Sequence, residues 1–158
     1  MKSKLYLFLI YFFISSVSFG QKVEKVPQGI NKIIVNTGLT EKENLRLIIG
    51  KLREKEYSIQ KVDSIVFQIQ TSPRKFRSWN YTYSFYFNIF DGKFNVSSFY
   101  DTNTGIQISG IVLNDGGQNL ITTTLRQNSF HNTIFREMKG IVLELFDESK
   151  IQYNFKKD

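Results

Sequence analysis

Residues 81–100 read YTYSFYFNIFDGKFNVSSFY. Tyr83, Phe85, Phe87 and Ile89 fall at alternate positions, with Thr82, Ser84, Tyr86 and Asn88 between them. A period of two is that of a strand with one buried face. Asp91-Gly92 is a two-residue hairpin signal, because both turn positions must tolerate positive φ. Closing the chain there pairs Ile89 with Phe94, Phe87 with Val96, Phe85 with Ser98 and Tyr83 with Tyr100. The other face pairs Asn88 with Asn95 and Tyr86 with Ser97. One face is apolar and the other mostly polar, with Phe99 opposite Ser84 as the exception. That is the pattern of an antiparallel sheet covered on one side.

Working outward, the apolar face needs a cover, and two helical patterns can supply it. Thr40-Glu-Lys-Glu43 matches a capping box. Leu45, Ile48, Ile49 and Leu52 follow at helical spacing, with the helix ending near Lys55. Phe130, Ile134, Met138, Ile141, Val142 and Leu145 form a second stripe, widened by Phe135 and Phe146, with Ser129 as N-cap. Gly140 costs this helix about 1 kcal/mol relative to Ala, and a closely packed backbone would explain it.

The remaining segments read as strands: Ile30–Thr37, Tyr57–Val62, Phe67–Thr71 (stopped by Pro73) and Gly105–Leu113. Further strands are expected near 119–126 and 151–155, the latter with a frayed tail as its alternative. The order β-α-β-β-β-β-α implies an α+β, two-layer sandwich: an antiparallel sheet with two helices on one face. Residues 21–29 read as a linker, 30–148 as one domain and 149–158 as a C-terminal tail.

The N-terminus points to export. Met1-Lys-Ser-Lys4 is positive, Leu5–Ile14 is an unbroken apolar run, and Ser18 and Gly20 supply a small-residue cleavage site before Gln21. Those are the three parts of a secretory signal peptide, residues 1–20. The run is shorter than the roughly 20 apolar residues of a membrane span. The chain contains no Cys, so disulfides, thiol catalysis, Cys-based metal sites and an acylated-Cys lipid anchor are not expected. Removing Lys2 and Lys4 with the leader leaves 19 basic against 14 acidic residues, a net +5. That balance favours acidic surfaces in general without naming one.

The segment Thr40–Thr71, with its capped helix, Tyr57-Ser-Ile59, Asp63 and Phe67-Gln-Ile69-Gln-Thr71, resembles small exported bacterial domains of TBP-like (helix-grip) fold. The likeness extends over roughly residues 30–148, and more distantly to the repeated domains of the outer-membrane assembly lipoprotein BamC. It implies the fold and no catalytic residues.

Little in the sequence carries catalytic chemistry. His131 is the sole histidine and falls in a first helical turn, where an exposed or capping role is expected. A serine-nucleophile motif is absent. Asp101-Thr-Asn-Thr-Gly105 has the start of a calcium loop without its later ligands, so it reads as a turn. Asn114-Asp-Gly-Gly lacks the strand-to-helix context of a phosphate cradle. No cofactor and no metal is expected.

The candidate contact surface is Arg74, Lys75, Arg77 and Trp79, ahead of the hairpin. Trp and Arg are enriched at binding hot spots; a solvated loop with Trp79 capping the core is the alternative. The reading is an exported, non-enzymatic interaction module of the periplasm or cell envelope. Its partner would be an envelope protein or acidic surface rather than nucleic acid. The alternative is a carrier of a lipid or other apolar molecule in a cavity lined by Phe85, Phe87, Phe94 and Met138.

Overall fold

The computed structural model describes residues 26–76, 81–102, 106–108, 111–113 and 118–155. In chain order these form β1 (Ile30–Asn36), α1 (Glu41–Glu54), β2 (Ile59–Asp63), β3 (Gln68–Thr71), β4 (Arg74–Lys75), β5 (Tyr81–Phe90) and β6 (Lys93–Thr102). Then come β7 (Ile106–Ile108), β8 (Ile111–Leu113), β9 (Asn119–Leu120), α2 (Phe130–Leu143), a 3-10 turn (Glu148–Lys150) and β10 (Ile151–Phe155). The protein is α+β, an antiparallel sheet of eight strands with two helices, consistent with a two-layer sandwich. The sheet runs β10-β1-β6-β5-β3-β2, with β4 also on β5 and β9 also on β6.

The hairpin at the centre has the register its sequence requires. All ten positions pair, from Tyr81 with Thr102 to Phe90 with Lys93, and Phe87 lies opposite Val96. Gly92 takes φ +71° in the turn. Tyr83, Phe85, Phe87 and Ile89 are buried with Phe94 and Val96 in one core. The helices supply the other half. Ile48 and Leu52 of α1 and Ile134, Phe135, Met138, Ile141 and Val142 of α2 are buried in the same cluster.

Both helix starts follow their capping residues. Thr40 N–H donates to Glu43 Oε2 at 2.9 Å, and Glu43 N–H donates back to Thr40 Oγ1. The hydroxyl and amide of Thr40 hold the Glu43 carboxyl below its ordinary pKa. Ser129 Oγ accepts from Asn132 N–H at 3.2 Å. The end of α1 is a Schellman turn: Glu56 N–H donates to Arg53 O and Tyr57 N–H donates to Leu52 O. Glu56 takes φ +58° there, a position where Gly would be unstrained. Gly140 has no neighbour within 4 Å of where a Cβ would stand, so close packing does not account for it.

β3 ends at Thr71, ahead of Pro73, as read from sequence; beyond the proline a separate two-residue strand, β4, pairs with β5, Arg74 opposite Tyr83. Two other strand readings need correction. The segment 105–113 is two short strands, Ile106 opposite Leu113 and Ile108 opposite Ile111. In 119–126 only Asn119 and Leu120 join the sheet, opposite Tyr100 and Phe99. The chain then crosses to the start of β1. Thr123 Oγ1 accepts from Ile30 N–H at 2.8 Å and donates to Pro27 O, while the Thr123 backbone bonds Gly29 and Ile30. The tail forms β10, an edge strand on β1 with Tyr153 opposite Ile33.

Candidate functional site

The helices occupy one face of the sheet, and the other face has an ordered composition of its own. In an antiparallel sheet, directly opposed residues share a face. Following the registers across six strands gives one row: Gln152 opposite Ile34, Ile34 opposite Asn95, Asn95 opposite Asn88, Asn88 opposite Gln68, and Gln68 opposite Asp63. The adjacent row places Asn154 opposite Lys32 on one side, and Ser97, Tyr86, Gln70 and Lys61 in succession on the other. Gln68, Gln152 and Asn154 are exposed; Asn88, Asn95, Gln70 and Tyr86 are half-exposed.

A depression of about 430 Å³ lies on this face. Five of its ten lining residues are carboxamides (Asn31, Gln68, Asn88, Gln118 and Asn154), and Lys32 is the single charged one. Tyr86 and Phe99 form its aromatic part, with ring centres 4.9 Å apart and planes at 74°. The Tyr86 hydroxyl donates to Gln118 Oε1 at 3.1 Å. Asn31 Oδ1 has no hydrogen-bond partner among the described residues. Each carboxamide offers both a donor and an acceptor in one plane, so the surface can bind polar groups without contributing charge.

A second polar cluster, on the helix side, has the opposite character. Glu137 of α2 accepts from the hydroxyls of Tyr57 and Tyr83, the latter at 2.8 and 2.9 Å, and from Arg74 Nη1 at 3.4 Å. The Arg74 guanidinium lies 4.4 Å from the centre of the Tyr57 ring. Burial, followed by the hydrogen bond from Tyr57 to Glu137, raises the Tyr57 pKa well above the usual phenol value. Burial and the Glu137 charge do the same for Tyr83. Both phenols are held as protonated donors. The Glu137 carboxylate is surrounded by donors, so the cluster ties α2 to the sheet rather than exposing a reactive group.

This arrangement divides the contact surface expected from sequence. Arg74 and Lys75 are not in a loop; they form β4, opposite Tyr83 and Thr82. Arg74 is engaged by Glu137 and Tyr57, Lys75 is exposed, and Phe76 is buried. Arg77 and Trp79 lie outside the described residues, as do residues 1–20, where a signal peptide is expected from sequence, and residues 21–25.

Phe85, Phe87, Phe94 and Met138 are all in the solid core, each 2% exposed or less. A ligand cavity would leave accessible surface on its walls, so this packing gives the carrier reading no support. His131 is neither exposed nor a cap. Its ring lies 3.9 Å from that of Phe130 and 5.4 Å from that of Tyr100, and burial lowers its pKa.

Two other surface features are structural in character. An open groove of about 700 Å³ runs beside α1, floored by Leu39, Leu47 and Leu145. Glu144 bridges it to Lys51 and Lys55 at 3.1 and 2.6 Å. Among the described residues no group of three or more His, Cys, Asp or Glu is placed to hold a metal ion. No helix among them is long and apolar enough to cross a membrane.

Sequence reasoning missed the carboxamide rows. The Asn88–Asn95 pair was visible in the hairpin register, but Gln68, Gln152 and Asn154 join it only through strand order. No protein-family model matches the chain, and a comparison with curated proteins finds no relative.

Proposed function

We propose that this chain is an exported, non-enzymatic binding module of the periplasm or cell envelope, and that it binds through the helix-free face of its sheet. The observation that carries the reading is the alignment of Gln152, Asn95, Asn88 and Gln68 in one row across the sheet. Asn is disfavoured in strands, where β-branched and aromatic residues fit the pleated surface better. A face that needed only to be wet could use Thr or Lys. Asn at two neighbouring central positions is better explained by what its side chain binds.

Two further features support the reading. The basic segment at 74–76 is partly consumed by the fold: Arg74 is paired and Phe76 is buried. The aromatic pair Tyr86–Phe99 is a rigid contact surface beside the amides.

Photo-cross-linking in living cells tests this. A photo-reactive residue at exposed Gln68, on the sheet face, should form adducts with an envelope component. The same residue at Leu47, on α1, should not. Adducts from Leu47 alone, or none from Gln68, would contradict the reading.

A further inference from the structure

We infer that the ligand of the sheet face is a neutral oligosaccharide, an inference that rests on the binding face proposed above. The chemistry of the depression argues against anionic, cationic and apolar ligands in turn. An anion would call for Arg or several Lys to make charge-assisted hydrogen bonds, and Lys32 is the one charged residue lining it. A cationic ligand would need carboxylates, and none lines it. An apolar ligand would desolvate five carboxamides without replacing their hydrogen bonds, at a cost that burial of apolar surface would not offset.

A sugar ring matches what is present. Each hydroxyl both donates and accepts, so two neighbouring hydroxyls can be met by one carboxamide plane. The C–H face of the ring is weakly polarised and packs on an aromatic face. Tyr86 and Phe99 provide that surface immediately beside Asn88 and Ser97.

The layout also suits a chain rather than a single sugar. The row from Gln152 to Gln68 crosses β10, β1, β6, β5 and β3. Four interstrand spacings of about 4.8 Å make it roughly 19 Å long. No charged residue stands in the row between Gln152 and Gln68; Asp63 and Lys61 lie beyond it on β2, and Lys32 and Lys93 flank it on β1 and β6. A neutral polymer lying along the row would meet a carboxamide on four of the five strands, with Ile34 on the fifth as an apolar contact.

Isothermal titration of the full chain with neutral hexasaccharides of glucose, mannose and N-acetylglucosamine tests this, with a sulfated oligosaccharide as the anionic comparison. At least one neutral hexasaccharide should bind, with affinity unchanged between low salt and about 0.5 M NaCl, where charge attraction is screened. Tyr86→Ala and Asn88→Ala should each weaken it about tenfold, roughly 1.4 kcal/mol. Gln68→Ala, at an exposed position, should weaken it too without touching the fold. Silence from every neutral hexasaccharide, salt-sensitive binding of the sulfated one alone, or unchanged affinity in all three variants would overturn the inference. If the neutral panel is silent while the Gln68 cross-link still forms, the ligand class is wrong and the binding face stands. If both are silent, both fall.

Discussion

The two faces of the β5–β6 hairpin share one backbone and one register, yet they differ in almost every physical respect. On the helix side Phe85, Phe87, Phe94 and Val96 are at most 1% exposed. On the other side Tyr86, Asn88, Asn95 and Phe99 remain half-exposed. The first face holds the fold together by burial and is sensitive to shape. The second contributes little burial at its amides, so their identity is free to serve recognition. Alternation along a strand thus separates stability from chemistry at neighbouring residues, and substitutions can interrogate each alone.

The largest contrast is expected at adjacent positions. Phe87→Ala should cost about 3–5 kcal/mol in urea unfolding, from lost transfer energy plus a cavity. Asn88→Ala, one residue on, should fall within about 0.5 kcal/mol of the parent. Equal costs at the two positions would break the separation.

A second test concerns the polar exception on the helix side. Glu137→Ala removes the acceptor for two phenols and should cost about 1.5–3 kcal/mol, the range for hydrogen bonds to charged groups. The same cluster predicts alkaline sensitivity. In the unfolded chain Tyr57 and Tyr83 ionise near pH ~10; in the folded protein both pKa values are raised. Their contribution is complete below about pH 10 and is lost as pH rises through the folded values. An ultraviolet titration should show two phenols ionising late in the parent and earlier in Glu137→Ala. Identical titrations would remove the cluster from the account.

A smaller gain is expected at Glu56, whose φ of +58° sets the turn that delivers Tyr57 to Glu137. Glu56→Gly should relieve roughly 1 kcal/mol of left-handed strain, read as a raised unfolding midpoint. A loss there would mean that the Glu56 side chain does something the backbone geometry does not reveal.

What could be read from sequence follows the range of the interactions involved. The hairpin register was legible because Asp91-Gly92 fixes the turn and the aromatics fix the face. The caps at Thr40 and Ser129 were legible because both partners lie within three residues. The short strand β4 was not, because two residues beyond a Pro carry no alternation of their own. The tail strand was not settled either. Its partner β1 lies more than a hundred residues away, and an edge strand has little burial to mark it. The Glu137 cluster joins the end of α1, β4, β5 and α2, and no local pattern brings these together. The carboxamide rows needed the strand order β10-β1-β6-β5-β3. Only then do Gln152, Asn95, Asn88 and Gln68 become neighbours.

The most direct test follows side-chain amide resonances of Asn and Gln in the isotopically labelled full chain during titration with the neutral hexasaccharides. The account predicts shifts in the carboxamide NH₂ signals of Asn88, Asn95, Gln68 and Gln152, with Asn44 of α1 and Asn132 of α2, both buried, unmoved. No shift at the first four, or shifts confined to signals from α1 and α2, would contradict it.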